Sequence, residues 1–396
     1  MSDQEDLKYM RRALALARTG MGLASPNPTV GCVIVRSGRI VGQGWHEYAL
    51  LDHAEARALK EARERSQGST VYVTLEPCSY HGRTPPCANQ LVRAGARRVV
   101  VAAIDPNPKV SGKGIDIMRS AGIRVEVGLM RDEALTLIEP FACSVTTGLP
   151  LVVSKVGMSL DGHIATHTRK GRWITSSEGR EFGQSLRLQM DALLVGIGTV
   201  LADDPELTYR GGCRKVRPLI RAVLDSRLRT PHTSRLLQTV SRAPVLIFCR
   251  PDAPLKRRHR LETQDAEVVA VPEGGYDLDL QIVLRELGAR GALGVLVEGG
   301  SEVHWSFVSA GLIDKFYFII APIVLGGKLA LPSVGGRGYA TIEEALRFRI
   351  RRSFRVGADL VLETYPSNSR SILTPWPSSG TPPSVARDSE SSSKPK

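Results

Sequence analysis

The chain has 396 residues, of which 42% are apolar and 23% are charged, a composition typical of a globular protein with more than one domain. No segment approaches the ~20 apolar residues that cross a bilayer, and the N-terminus lacks an apolar secretion signal. Six cysteines do not make a disulfide framework in a chain of this size, so we expect a reducing compartment, the cytoplasm. The formal net charge is +13, and the basic residues that produce it are not interleaved with aromatic residues. This pattern favours small anions over nucleic acid or a membrane as partners.

The first 145 residues alternate between helical and strand patterns. The patterns predict helices over 6–18, 54–65 and 86–94 and strands over 30–35, 70–75 and 99–104. Such alternation predicts a three-layer α/β domain over residues 1–145.

Alternation resumes after a linker predicted near residues 146–150. The patterns predict strands over 151–156, 192–195, 222–224, 245–248, 268–271, 293–297, 315–320 and 359–364, and helices over 177–190, 278–287 and 302–310. We therefore predict a second α/β domain over residues 149–365. Residues 366–396 are rich in serine and proline with few apolar residues, which predicts a disordered tail.

A metal-binding pattern lies in the first domain. His53, Cys78 and Cys87 supply one imidazole and two thiolates, three of the four ligands of a tetrahedral zinc, and leave the fourth position for water. Glu55 follows the histidine by two residues, where a carboxylate can move the proton of that water. This order and spacing are typical of zinc-dependent deaminases, so we predict that these three residues bind Zn²⁺ and that Glu55 is catalytic.

The alternative is a closed structural zinc site with His46 or His81 as the fourth ligand. A closed site does not explain a glutamate beside the ligand, so we favour the open site. Eight residues separate the two cysteines, and this loop includes His81 and Arg83. A loop with these side chains suits a substrate that carries an anionic group.

Both halves of the chain contain motifs of a known family. In the first half they are Asn27-Pro28-Thr29-Val30-Gly31, His46, His53-Ala54-Glu55, Glu76-Pro77-Cys78, the segment 82–87 and Asp105-Pro106-Asn107-Pro108. In the second half they are the segment 155–162, Trp173-Ile174-Thr175, Asp191-Ala192, the segment 196–205, Leu224-Asp225-Ser226, Val297-Glu298-Gly299-Gly300 and Ala321-Pro322. The chain resembles the bifunctional deaminase-reductase family of riboflavin biosynthesis from about residue 5 to 365.

The resemblance implies a cytidine-deaminase-like domain followed by a dihydrofolate-reductase-like domain. The first would remove the 2-amino group of 2,5-diamino-6-(5-phosphoribosylamino)pyrimidin-4-one. The second would use NADPH to reduce the ribosyl group of the resulting uracil to ribityl. It also implies a small phosphorylated aminopyrimidine as substrate, and we expect a homo-oligomer.

The resemblance further implies which residues form the sites. Substrate contacts in the first domain would come from Asn27, His46 and Arg83. The cofactor would be lined by Gly157, Trp173, Thr199, Asp203, Ser226 and Gly300. Substrate contacts in the second domain would come from Gly171, Leu207, Arg210 and Glu298. Gly171 stands where the family commonly has serine, so one hydroxyl contact to the substrate phosphate is expected to be missing or to be replaced by Arg172.

Two other functions fit parts of the pattern. A deaminase acting on a base in nucleic acid fits the positive charge, but the long loop between the cysteines and the lack of an aromatic-rich basic stripe oppose it. A deaminase with a non-catalytic phosphosugar-binding second domain would explain the first half only. The retained Lys155, Asp203, Arg210 and Glu298 oppose that alternative.

Overall fold

The computed structural model describes residues 3–169, 173–213, 215–275 and 277–373. Gly171, Arg172 and residues 374–396 of the predicted tail therefore lie outside the described residues. Among the described helices, none has the length and apolar content needed to span a membrane.

The first domain is built on a five-stranded sheet in the order β2-β1-β3-β4-β5. Its elements are α1 (Asp3–Thr19), β1 (Gly31–Arg36), β2 (Arg39–Trp45), α2 (Ala54–Ala62), β3 (Thr70–Val73), α3 (Cys87–Arg93), β4 (Arg98–Val101), α4 (Lys113–Ser120), β5 (Arg124–Val127), α5 (Arg131–Leu137) and α6 (Glu139–Thr147). Strands β2, β1 and β3 pair antiparallel, and β3, β4 and β5 pair parallel. Helices α1 and α2 pack on β1 and β2, and α3 packs on α4.

The second domain is built on a nine-stranded sheet in the order β11-β10-β9-β8-β14-β6-β15-β18-β17. Its strands are β6 (Leu151–Ser159), β7 (His163–Ala165), β8 (Ala192–Gly196), β9 (Ile220–Leu224), β10 (Val245–Cys249), β11 (Glu267–Ala270), β12 (Glu273–Gly274), β13 (Asp277–Leu278), β14 (Gly294–Val297), β15 (Lys315–Ala321), β16 (Leu331–Pro332), β17 (Phe348–Val356) and β18 (Asp359–Pro366). Its helices are α7 (Ser177–Gln189), α8 (Ile197–Asp203), α9 (Arg235–Gln238), α10 (Leu255–Glu262), α11 (Leu280–Ala289) and α12 (Ser301–Ser309).

The strands from β11 to β15 run parallel, and β18 and β17 add antiparallel strands at one edge. The central strands are buried along most of their length, as β8 and β14 show, which explains their continuous apolar sequences.

Ligands of open α/β sheets bind outside the carboxyl ends of the parallel strands. The carboxyl ends of β6, β8, β9 and β14 are therefore where a site is expected. Two successive α/β domains are therefore present, as the sequence patterns predicted.

The predicted linker is shorter than expected. Helix α6 continues through Thr147, and Gly148, with a φ of 74°, ends it in the left-handed conformation that glycine adopts without strain. Only Gly148, Leu149 and Pro150 separate this helix from β6.

The predicted start of the disordered tail at residue 366 is wrong for residues 366–373. Strand β18 includes Pro366, and we call the segment 367–373 the C-terminal strap. Arg370 forms an ion pair with the buried Asp314, and Ser371 Oγ donates to Glu139 Oε1 at 2.5 Å. Ile372 and Leu373 pack against the core of the first domain. Composition misled here because these polar residues find buried partners in both domains.

Candidate active sites

Three predicted metal ligands meet at the end of β3 and the starts of α2 and α3. His53 Nδ1 lies 3.6 Å from Cys78 Sγ and 3.3 Å from Cys87 Sγ, and the three ligand atoms all lie within 4.8 Å of one another. His53 immediately precedes α2, and Cys87 is the first residue of α3. Separations of this size match one imidazole and two thiolates around a single tetrahedral ion, so the donor set fits zinc.

The surroundings favour thiolate at Cys78. Its pKa is lowered, first by the hydrogen bond with the Cys87 thiol and then, against the effect of burial, by His53. The backbone N–H of Cys87 also donates to Cys78 Sγ at 3.3 Å. Metal ligation requires deprotonated cysteine, so this environment prepares Cys78 for a cation.

Glu55 lies in the first turn of α2 and is only 4% exposed. Burial, the largest cause, raises its pKa to about 7, although His53 opposes the rise. A carboxyl group with a pKa near neutrality can both accept and release a proton, which is the property that a general acid/base needs.

His46 is fully engaged and does not complete a closed metal site. Asn27 Nδ2 donates to His46 Nε2 at 3.0 Å, so His46 Nδ1 carries the proton and donates to the carbonyl of Asp52, also at 3.0 Å. Burial lowers the pKa of His46 to about 4 and keeps the ring neutral. The other candidate ligand, His81, is exposed.

A cleft of about 200 Å³ opens in front of the metal-binding residues. Its lining includes Asn27, His46 and Arg83, together with His53 and Cys78. The guanidinium of Arg83 lies 4.6 Å from the centre of the Tyr48 ring, which holds this cation at the cleft. The structure therefore brings all predicted residues of the first site to one place, although Glu55 and Cys87 lie deeper.

In the second domain, glycines at the carboxyl ends of β8 and β14 allow a close backbone approach. A Cβ on Gly299 would lie 2.5 Å from Val195 Cα and 2.6 Å from the nitrogen of Gly196. Gly300, with a φ of 24°, precedes α12, and a Cβ there would lie 3.7 Å from Thr199 Oγ1. The Oγ of buried Ser301 has no hydrogen-bond partner among the described residues. This narrow cradle with an unused donor fits a phosphate of a dinucleotide.

Beside this cradle lies a buried cluster of charges. Arg187 donates to both oxygens of Glu298 at 2.9 and 2.7 Å, and Lys155 Nζ lies 3.3 Å from Glu298 Oε2. Burial opposes the charge on Glu298, but Lys155 and Arg187 lower its pKa to about 2. The cluster thus contains two cations and one carboxylate, at the carboxyl end of β14 and beside the middle of β6.

The remaining predicted residues of the second site are more dispersed. Gly157 lies in β6, where a Cβ would meet Thr175 at 2.9 Å, and Ser226 follows the end of β9 half-buried. Asp203 ends α8 and is exposed, and Arg210 is also exposed.

Two more of the predicted residues lie at opposite extremes of exposure. Trp173 is 66% exposed, and Arg180 lies 4.6 Å from the centre of its ring. Leu207 is 3% exposed and packs in the hydrophobic core, so its side chain does not line a cleft. Only the backbone of Leu207 is left to contact a substrate.

Arg187 was not predicted as a site residue, and Lys155 was predicted only as part of a motif and as one of the charged residues that oppose a non-catalytic second domain. Arg187 is 12% exposed in its side chain although it lies in an otherwise ordinary amphipathic helix. The signal available in the sequence was a single arginine between Leu186 and Leu188, which is too weak to identify a buried ion pair.

Comparison with known proteins is consistent with these two sites. Residues 3–103 match the family model "Cytidine and deoxycytidylate deaminase zinc-binding region", and residues 150–362 match "RibD C-terminal domain". The riboflavin biosynthesis protein RibD of Aquifex aeolicus is 40% identical over 90% of this chain and 97% of its own length. The RibD protein of Escherichia coli is 39% identical over 90% and 98%.

Solved structures agree in fold. A RibD structure from Acinetobacter baumannii is 36% identical, covers 92% of this chain and 99% of its own, and superposes with a TM-score of 0.82. A deaminase/reductase from Thermotoga maritima is 33% identical with the same coverage and a TM-score of 0.80. The chain therefore belongs to the RibD family and is a bifunctional deaminase and reductase of riboflavin biosynthesis that uses Zn²⁺ and NADPH.

Proposed function

We propose that the first domain deaminates 2,5-diamino-6-(5-phosphoribosylamino)pyrimidin-4-one and that the second reduces 5-amino-6-(5-phosphoribosylamino)uracil. The Thermotoga maritima relative carries the corresponding deaminase/reductase name. The observation that supports two separate reactions is the presence of two distinct polar centres. One is the convergence of His53, Cys78 and Cys87 beside buried Glu55, and the other is the cluster around Glu298.

In the deaminase reaction, His53, Cys78 and Cys87 hold the zinc ion. When bound, zinc supplies a Lewis acid that makes water a nucleophile near neutral pH. Glu55 takes one proton from the water that adds to C2 of the pyrimidine. It then delivers that proton to the 2-amino nitrogen, the C–N bond breaks and ammonia leaves. The pKa of about 7 lets the same carboxyl group perform both transfers.

Recognition in the first cleft depends on the three predicted contacts. The neutral His46 ring lies edge-on to His53, with ring centres 5.2 Å apart, and orients the Asn27 amide through their hydrogen bond. We propose that Asn27 and His46 contact the pyrimidine and that Arg83 pairs with the phosphate.

In the reductase reaction, NADPH supplies a hydride to the sugar carbon that becomes part of the ribityl chain. We propose that Gly300 and Ser301 hold a phosphate of the cofactor, with Thr199 beside them and with Gly157, Trp173, Asp203 and Ser226 lining the rest. We propose that Lys155 faces the substrate, and Glu298 holds both Lys155 and Arg187 through ion pairs. Arg210 is proposed to attract the substrate phosphate from its exposed position, with Leu207 contributing only its backbone.

The test uses a matched pair of Glu→Gln variants in the full chain. We expect Glu55→Gln to retain zinc and to lose ammonia release by about 10²- to 10⁴-fold, while reduction of the supplied uracil continues. We expect Glu298→Gln to lose reduction of the supplied uracil while ammonia release continues. Equal loss of both activities in either variant would contradict the assignment of two independent sites.

We further propose that the protein acts in a reducing compartment, the cytoplasm, and forms a homo-oligomer. All six cysteines are free, which supports the first proposal. Ile350, which is 58% exposed on the edge strand β17 of the large sheet, is the apolar side chain that a second copy would cover. Light scattering tests the second proposal, and a monomeric mass at micromolar concentration would refute it.

A further inference from the structure

The turn that carries the first metal cysteine is anchored by a buried carboxylate that takes no part in the proposed chemistry. Glu76 follows β3, immediately before Pro77 and Cys78, and is 3% exposed. Its Oε1 accepts from the backbone N–H groups of Gly114 at 2.9 Å and Ile115 at 3.4 Å. Its Oε2 accepts from those of Gly112 at 2.9 Å and Asp105 at 3.2 Å.

These four donors belong to the start of α4 and to the loop that precedes it. The first N–H groups of a helix have no partner within the helix, and a carboxylate there also interacts favourably with the helix dipole. Glu76 therefore binds the beginning of α4 to the end of β3. Since the metal cysteine is only two residues further along the chain, this contact fixes where its backbone can lie.

A second contact, between Gly114 and Pro77, also packs this turn against α4. A Cβ on Gly114 would lie 1.9 Å from the carbonyl oxygen of Pro77, so the helix can approach this closely only because residue 114 is glycine. The backbone on both sides of Pro77 is thus fixed against the first turn of α4.

We propose that Glu76 is a positioning residue that holds Cys78 at the distance from His53 and Cys87 that zinc requires. This inference rests on the proposed role of Cys78 as a ligand. Glu76 touches neither the metal-binding atoms nor the cleft, and it acts through Pro77 and the backbone of Cys78. Groups that orient metal ligands in this way typically alter metal affinity by about 10- to 100-fold when removed.

The anchor needs both carboxylate oxygens of Glu76 as hydrogen-bond acceptors, and not only a side chain of this size. Each carboxylate oxygen accepts two N–H groups, so Glu76→Gln replaces one acceptor with an NH₂ group that points at two backbone donors. That half of the anchor must open, because two donors cannot hydrogen-bond to each other. We therefore expect the turn to loosen although the side chain keeps its size.

The second domain offers a matched control. Asp225 is a buried carboxylate that accepts from the N–H groups of Arg229 and Thr230 and from Thr230 Oγ1, at 2.7 to 2.8 Å. Asp225→Asn damages a comparable anchor far along the chain from the zinc ligands. We expect it to lower stability without changing zinc affinity.

The experiment measures zinc affinity of the full-length protein by competition with a chromophoric chelator, and the visible spectrum of the Co²⁺-substituted protein. We expect Glu76→Gln to bind zinc about 10- to 100-fold more weakly, with altered thiolate-to-cobalt bands, while Asp225→Asn matches the wild type. Excess zinc should restore kcat of the Glu76→Gln deaminase with little change in KM. Gly114→Ala, whose Cβ would lie 1.9 Å from the Pro77 carbonyl oxygen and 3.3 Å from Glu76 Oε1, should displace the same turn and weaken zinc binding in the same direction.

Unchanged zinc affinity in a folded Glu76→Gln protein would overturn the inference. Should that variant not fold, the same measurement on Glu76→Asp decides, because the shorter carboxylate cannot reach all four donors and must also bind zinc more weakly. Failure of the wild-type protein to bind one zinc per chain would instead overturn the proposed metal site itself.

Discussion

The C-terminal strap provides a test of how the two domains are joined. We compare a chain that stops after Leu373 with one that stops after Pro366, and so loses the strap. The first truncation removes none of the described contacts. The second removes the ion pair of Arg370 with Asp314, the hydrogen bond of Ser371 to Glu139 and the packing of Ile372 and Leu373.

The expected cost follows from the burial of Asp314. The side chain of Asp314 is 1% exposed, and Arg370 donates to its Oδ1 at 2.8 Å and to its Oδ2 at 2.5 Å. Loss of one partner of such a pair leaves a buried charge and costs about 3 to 5 kcal/mol. For a domain of this size, that corresponds to a Tm lowered by about 6 to 20 °C.

Differential scanning calorimetry measures the effect, and Arg370→Met in the full chain isolates the ion pair. We expect the chain ending at Leu373 to melt like the wild type, and the chain ending at Pro366 to melt at a clearly lower temperature. Arg370→Met should account for most of that difference. Equal melting of the two truncated chains would refute the argument, because the strap would then contribute nothing to stability.

Two further predictions concern charge and metal. Burial lowers the pKa of Lys215, which lines a cavity of about 370 Å³ between the domains, to about 8 from its ordinary value of 10.5. The unfolded chain therefore binds more protons between these values, so this residue makes the free energy of unfolding rise with pH in that window. Lys215→Met should remove that rise in urea titrations at pH 8 and 10, and an identical pH slope in the variant would contradict it. Removal of zinc with a chelator should abolish ammonia release and spare NADPH oxidation on supplied uracil substrate. Loss of both activities would show that the reductase also depends on the metal.

The sequence predicted the deaminase site more completely than the reductase site. His53, Glu55, Cys78 and Cys87 are chemically distinctive and closely spaced, so their pattern indicated both the metal and its proton shuttle. The structure adds how burial raises the pKa of Glu55 and keeps His46 neutral, and how the Asn27 amide selects the tautomer of His46. Neither effect follows from spacing, because both depend on three-dimensional neighbours.

The reductase site is assembled from the ends of strands that are far apart in sequence. Arg187 and Glu298 are separated by 111 residues, and no motif or periodicity in the sequence links them. Leu207 was predicted from the resemblance to face the substrate, and its side chain lies in the core, which leaves its backbone for that contact. Motifs locate segments, but tertiary packing decides which side chain of a segment faces the ligand.

Secondary structure was also predicted correctly in some segments and missed in others. Strongly apolar strands such as β8 and β10 were predicted within one or two residues, because they are buried on both faces. Strand β17 was missed, since its exposed arginines hide the alternation of an edge strand. The strap was missed because a few buried polar contacts, rather than apolar content, hold it in place.

The most direct test of two activities in one chain is a coupled assay on the purified protein. The diaminopyrimidinone ribotide is supplied with NADPH, and ammonia and the absorbance of NADPH are followed together. We expect ammonia to be released first and NADPH oxidation to follow, with as much NADPH oxidised as ammonia released. Zinc-loaded protein that releases no ammonia, or ammonia release without any NADPH oxidation, would contradict it.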